Sequence, residues 1–286
     1  MNDKSQDVLI TGASGAIGEA FARRFARLGY TVHLTSREPK RLKALTKELT
    51  QGGSHVITYR LELANIGACQ RVVTQFFKNA KNPAVLICNA GNLGQVEPFQ
   101  ASDFNVWAQR IMENFLGQAA MIHAFVRLFK KRKFSQGTIL TLSGAGLGAN
   151  TSFDRLSSYS TAKAALTHLV EALAPELMNL GITINAMAPG QVVSGITRQA
   201  LKAGKKAGAY AQSAQQCLAS GGVSPELVCD LAEFLVSPAA RTLSGRLLSA
   251  RFDGPLLKST AETVAKDPNL FRQRRIDNFL FKVGQP

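Results

Sequence analysis

The chain is predicted to be an α/β protein, a doubly wound parallel sheet of about seven strands with helices on both faces. Three observations lead there. Short apolar runs such as Val8-Leu9-Ile10 and Ala84-Val85-Leu86-Ile87-Cys88 alternate with longer segments of helical period. These runs are apolar at every position rather than every second one, as in strands covered on both faces. The first of them passes directly into a glycine-rich turn and then a helix. With 286 residues, 45% of them hydrophobic, the chain can bury a full core, and residues 1–286 are expected to form a single domain.

In chain order, Asp7 to Thr11 is the first strand and Glu19 to about Leu28 the first helix. Thr31 to Thr35 is the second strand. Pro39 to Gln51 reads as an amphipathic helix opening on a proline, tolerated where the N–H has no partner anyway. His55 to Leu61 is the third strand and ends at Glu62-Leu63; Ile66 to Lys78 is helical, and Ala84 to Cys88 is the fourth strand. A long helical region runs from Asp103 to about Phe129 and closes on Lys130-Lys131-Arg132-Lys133, cations that suit a helix C-terminus. Thr138 to Leu142 is the fifth strand, followed by Ser143-Gly144. The helix through Tyr159 extends to about Leu180 and stops at Gly181. Ile182 to Met187 is the sixth strand, Pro225 to Val236 a helix and Leu247 to Ala250 the seventh strand. The tail, about 254–286, receives no assignment.

The turn Gly12-Ala13-Ser14-Gly15-Ala16-Ile17-Gly18 lies between a strand and a helix, and a second strand follows. Glycines there let the backbone approach a pyrophosphate, and the helix N-terminus supplies free N–H groups and a positive dipole end. An NAD-preferring site places a carboxylate about 20 residues further on, for the ribose 2′-hydroxyl. Here Ser36 stands at that point with Arg37 beside it and Lys40 and Arg41 close behind. A guanidinium matches a 2′-phosphate, so NADP(H) is preferred over NAD(H). A shift of register would bring Glu38 to the ribose instead.

Tyr159 and Lys163 are four residues apart and share one helix face. An ammonium beside a phenol favours phenolate and is expected to lower the tyrosine pKa, making Tyr159 a candidate general acid/base. With Asn114 on the long helix, Asn89-Ala90-Gly91 and Pro189-Gly190, this set resembles the short-chain dehydrogenase/reductase family in its single-domain form, to about Asp253.

The resemblance implies a Rossmann-type fold and reduction of a carbonyl to an alcohol, or the reverse, by hydride transfer from NADP(H). Tyr159 would donate and accept the proton, Lys163 would bind the nicotinamide ribose and Asn114 would hold a water relaying to Lys163. The resemblance also implies that Gly12, Ser14, Gly15, Ile17, Gly18, Ser36 and Arg37 bind the phosphate side. Glu62 and Leu63 would lie near the adenine, and Asn89, Ala90 and Gly91 along the adenosine ribose. Pro189, Gly190, Val192 and Ser194 would hold the carboxamide. A homodimer or homotetramer through the Asp103 and Tyr159 helices is also implied.

Three departures stand out. The spacing Gly12-x-x-Gly15-x-x-Gly18 looks like that of the longer, sugar-nucleotide-modifying branch. Gly144 occupies the place of the usual catalytic serine, which would move Ser143 into the role, with Ser157 or Ser158 as further hydroxyls. Cys88-Asn89 replaces the usual pair of asparagines before Ala90.

The segment of about 191–223 would be the substrate lid. Arg198, Lys202, Lys205 and Lys206 are spaced as one helical stripe there. The stripe is either a solvated face or a sign of an anionic or carrier-linked substrate, with Arg198, Lys202 and Lys205 as its contacts. The net charge of +15 fits a polyanionic cofactor or an acidic substrate, and a nucleic-acid partner rests on charge alone and is not expected. Cys69, Cys88, Cys217 and Cys229 lack metal-ligand spacing, so free thiols in a reducing cytoplasm and no metal are expected. His33, His55, His123 and His168 read as packing or surface residues. No signal segment or membrane span is read. The main expectation is an NADP-dependent carbonyl reductase; a sugar-nucleotide reductase or epimerase and a non-catalytic NADP-binding sensor are the alternatives.

Overall fold

The computed structural model describes residues 6–144 and 154–273. Strands β1 (Asp7–Ile10), β2 (Thr31–Ser36), β3 (Val56–Arg60), β4 (Pro83–Cys88), β5 (Gly137–Leu142), β6 (Ile182–Ala188) and β7 (Leu247–Ser249) form one sheet. Its order is β3-β2-β1-β4-β5-β6-β7, and every neighbouring pair is parallel. The chain begins in the middle, winds outward to β3, then crosses back to lay down β4 beside β1. Strand order reverses between β1 and β4, and ligands of open α/β sheets bind outside the carboxyl ends at such a point.

Helices α1 (Ala16–Arg27), α2 (Lys43–Gln51), α3 (Ile66–Asn79), α4 (Phe104–Ile111), α5 (Gly117–Lys131) and α6 (Ser157–Met178) follow the first five strands. Helices α7 (Gly195–Ala203), α8 (Ala209–Ser220), α9 (Pro225–Val236) and α10 (Gly254–Lys266) complete the chain order. Val8 and Ile10 point to one face, where they meet Phe21 and Phe25 of α1 and Leu231 of α9. Leu9 points to the other, with Phe76 of α3, Phe125 of α5 and Leu166 of α6. Alternate residues thus enter two separate cores, which is why the strands carry no polar position. Arg24 of α1 fastens α9 by ion pairs to Glu226, Asp230 and Glu233 at 2.6, 2.7 and 2.6 Å.

One polar group is buried in the sheet. His33 Nε2 lies 2.9 Å from Asp7 Oδ1, and its Nδ1 lies 2.9 Å from the Tyr59 hydroxyl. Asp7 Oδ2 also accepts the Asn82 N–H at 2.9 Å. Every polar atom so enclosed has a partner, as burial demands.

Three elements differ from the sequence expectation. Pro39 to Leu42 forms a 3-10 turn before α2 begins. The long helix is broken between α4 and α5 by a π-helical turn, Met112–Leu116. The tail is not structureless up to Gln273: α10 buries Leu257, Ala261 and Val264, an i, i+4, i+7 stripe. Arg246 Nη1 then donates to the Leu270 carbonyl at 2.7 Å. The four cysteines are unpaired and buried. Among the described residues no helix is long and apolar enough to cross a membrane.

Candidate active site

At the carboxyl ends of β1 and β4 lies a crevice lined by the glycine turn, the end of β2 and Glu62-Leu63. Asn89-Ala90-Gly91, Asn114 and Ser194 complete much of its wall. Its empty volume is about 1110 Å³ with its open mouth, larger than the roughly 300–1,000 Å³ of a drug-sized ligand pocket. The turn is compact. A Cβ on Gly18 would stand 2.3 Å from the Gly12 carbonyl oxygen, so only glycine permits this crossing. Asn89 Nδ2 donates to the Thr11 and Gly12 carbonyls at 2.8 and 3.2 Å, tying β4 to the turn. No protein side chain larger than a hydroxyl closes the turn: the Ser14 and Ser36 hydroxyls meet at 3.1 Å.

Arg37 and Arg41 both line the crevice, and Glu38 does not. The end of β2 therefore presents a hydroxyl and two cations, the register the sequence favoured. Glu113 is a lining residue that sequence reasoning missed. It is buried by the π turn and paired with Arg110, while burial pushes its carboxyl pKa up. Leu61, Gly195, Ile196 and Gln199 also line the crevice and were not anticipated.

Asn114 is enclosed, and its side chain makes paired hydrogen bonds with the Asn92 backbone at 2.8 and 3.0 Å. The π turn frees its own carbonyl from the helix ladder, and Gln118 Nε2 donates to that oxygen at 3.1 Å. Lys163 Nζ donates to the carbonyl of Leu142, the last residue of β5, at 2.7 Å. Gly91 lies between the two side chains: a Cβ there would be 3.5 Å from Asn114 Oδ1 and 3.6 Å from Lys163 Nζ. The structure thus brings Asn114, Gly91, Lys163 and Tyr159 together at the carboxyl ends of β4 and β5.

The expected lowering of the phenol pKa is corrected. Burial and the neighbouring Tyr210 push Tyr159 up, and burial pushes Lys163 down from 10.5 to about 8. The ammonium is committed to Leu142 and stands 5.9 Å from the Tyr159 ring centroid, so its charge does not offset the apolar surroundings.

Ser143 does not take the place expected of it. Its hydroxyl turns 3.1 Å from Thr167 Oγ1, two helical turns beyond Tyr159 on α6. Gly144 faces the phenol instead: a Cβ there would lie 2.7 Å from Tyr159 Oη. Ser157 accepts the Trp107 indole N–H at 3.0 Å, and Ser158 is buried.

Residues 191–223 form a helical hairpin, α7 and α8, pinned at its base by the Val192–Gly222 bridge. Val192 packs into the core rather than the crevice, Pro189 and Gly190 stand outside the lining, and Ser194 and Ile196 enter it. The basic stripe is broken. Arg198 and Lys202 lie on the exposed face of α7, but Gly204, with φ of 55°, ends that helix before Lys205. None of the three lines the crevice.

The model of the family described as short chain dehydrogenase matches residues 6–205. A 3-oxoacyl-acyl-carrier-protein reductase of Rickettsia bellii is 32% identical over 193 residues, 65% of this chain and 72% of that protein. A protein from Beutenbergia cavernae, solved with NADP bound at low occupancy, superposes with a TM-score of 0.74 at 25% identity, covering 89% of this chain and 97% of that one. A metagenomic short-chain oxidoreductase in complex with NADP gives 0.60 at 27% identity, over 65% of this chain and 82% of the other.

Proposed function

This chain belongs to the short chain dehydrogenase family, and from that premise we propose that it is an NADP(H)-dependent oxidoreductase interconverting a carbonyl compound and an alcohol. The observation that carries the reading is the convergence of Tyr159, Lys163 and Asn114 on Gly91, beside the crevice that ends at Arg37 and Arg41. The residues present fit the cofactor. The Gly12–Gly18 crossing leaves no Cβ in the way of a pyrophosphate, and α1 offers its N-terminal N–H groups to it. Arg37 and Arg41 supply the charge a 2′-phosphate requires, and Ser36 the hydrogen bond. The relatives solved with NADP support the same choice.

NADPH, when bound, supplies a hydride to the carbonyl carbon. Tyr159 gives its phenolic proton to the carbonyl oxygen, so the alcohol gains one hydride and one proton. Its raised pKa keeps it protonated at neutral pH, ready for the reductive direction. Lys163 and Asn114 hold the path by which that proton is replaced. Tyr159 is buried at 5% exposure beneath the α7–α8 hairpin, which makes the hairpin the lid that must lift for substrate to enter. The lid's inner surface is apolar (Ala200, Ala207, Ala214), so the reacting part of the substrate is an apolar carbonyl compound. Unpaired thiols suit a reducing, cytoplasmic setting, and assembly through α4 and α6 remains our expectation.

The glycine spacing favours a second reading, a sugar-nucleotide reductase or epimerase. The described tail counts against it, because α10 packs onto the sheet rather than building a sugar-binding domain. The experiment is an NADPH-oxidation screen across acyl-carrier, nucleotide-sugar and simple apolar ketones, with Tyr159→Phe as control. Carbonyl-dependent oxidation abolished by Tyr159→Phe supports the reading. NADPH binding with no turnover of any carbonyl would point instead to a sensor.

A further inference from the structure

The carbonyl oxygen of a substrate at Tyr159 needs a second hydrogen-bond donor, and the strand end that would offer one carries Gly144. A second phenol faces the same space. Tyr210 is borne by α8, is 8% exposed, and packs with Tyr159, Leu93, Val96 and Leu156 in a small apolar cluster of its own. That cluster is separate from both cores of the sheet. A tyrosine placed only to hold the lid would gain nothing from a hydroxyl, since burying a hydroxyl in apolar surroundings costs free energy.

Resting on the oxidoreductase reading above, we propose that Tyr210 is a catalytic residue: its hydroxyl donates a hydrogen bond to the substrate carbonyl oxygen from the lid side, in place of a serine at position 144. Tyr210 lends the bond and keeps its proton, while the proton transferred comes from Tyr159 and the hydride from NADPH. Burial pushes the Tyr210 pKa up, so it stays a neutral donor across the working range. The two phenols are also close enough for charge on Tyr210 to raise the pKa of Tyr159. Lid closure then completes the site, because the donor arrives with α8.

The test compares Tyr210→Phe with Tyr210→Ala in steady-state reduction of an apolar ketone, alongside fluorescence titration with NADPH. Removing one donor to a developing oxyanion lowers kcat by about 10²–10³-fold in well-formed sites. Tyr210→Phe, which keeps the ring, is expected to lose kcat at least tenfold and to approach Tyr210→Ala, with NADPH affinity within twofold of wild type. Tyr210→Phe retaining kcat within threefold of wild type while Tyr210→Ala is impaired would assign a packing role and overturn the inference alone. A wild-type protein that binds NADPH but reduces no carbonyl overturns the oxidoreductase reading, and this inference with it.

Discussion

Gly144 lies against the Tyr159 phenol so closely that an added Cβ would stand 2.7 Å from Oη and 2.8 Å from Lys163 Cγ. Tyr159 and Lys163 are both buried, so neither side chain can give way freely. Restoring a serine at this strand end therefore does not restore a conventional site. Gly144→Ser is expected to destabilise the protein by about 1–3 kcal/mol, the usual cost of overpacking, and to lower kcat at least tenfold. Denaturant unfolding and ketone reduction check both; a gain in kcat would refute it.

Arg37 and Arg41 stand where a 2′-phosphate is read, with Ser36 between strand and crevice. Arg37→Ala should weaken NADPH about 10- to 100-fold, from a charge-assisted bond worth about 1.5–3 kcal/mol. NADH affinity should change less than threefold. Fluorescence titration with both coenzymes decides it.

Burial lowers Lys163 from 10.5 to about 8 in the cofactor-free protein. Above about pH 10.5 the lysine is neutral whether the chain is folded or unfolded, and it costs nothing. As pH falls from 10.5 toward 8, only the unfolded chain takes up the proton, so stability is lost across that window and the loss is complete below about 8. The full penalty is about 3 kcal/mol. Lys163→Met should therefore be more stable than wild type at pH 7, with the advantage shrinking at pH 10. Paired urea titrations at the two pH values measure it, and a pH-independent difference would contradict it.

Asp7 accepts from the Asn82 N–H and faces His33 inside the sheet at 2% exposure. Asp7→Ala strands both partners. It should cost about 3 kcal/mol while leaving NADPH affinity unchanged, because the group lies toward the amino ends of the strands.

Much of this was legible in the sequence because each signal was local. Unbroken apolar runs marked strands covered on both faces, and Tyr159 and Lys163 shared a helix face by spacing alone. The glycine turn and Arg37 followed from their distance along one strand–helix–strand unit. What escaped depended on distant contacts or single-residue geometry. The π turn that buries Glu113 adds one residue to a helical ladder without a sequence mark. Whether Ser143 or Gly144 faces the phenol is decided by one step along an extended backbone. The basic stripe from Arg198 to Lys205 assumed a continuous helix, which Gly204 ends. The Leu257, Ala261 and Val264 stripe of α10 was there to be read.

The central claim is that Tyr159 protonates a carbonyl reduced by hydride from NADPH. NADPH carrying deuterium at C4 of its nicotinamide, incubated with an apolar ketone and analysed by mass spectrometry, tests it most directly. The account predicts one deuterium on the carbinol carbon of the product with the wild-type protein and at least a hundredfold less product with Tyr159→Phe. Unlabelled alcohol, or product formed equally by Tyr159→Phe, would contradict it.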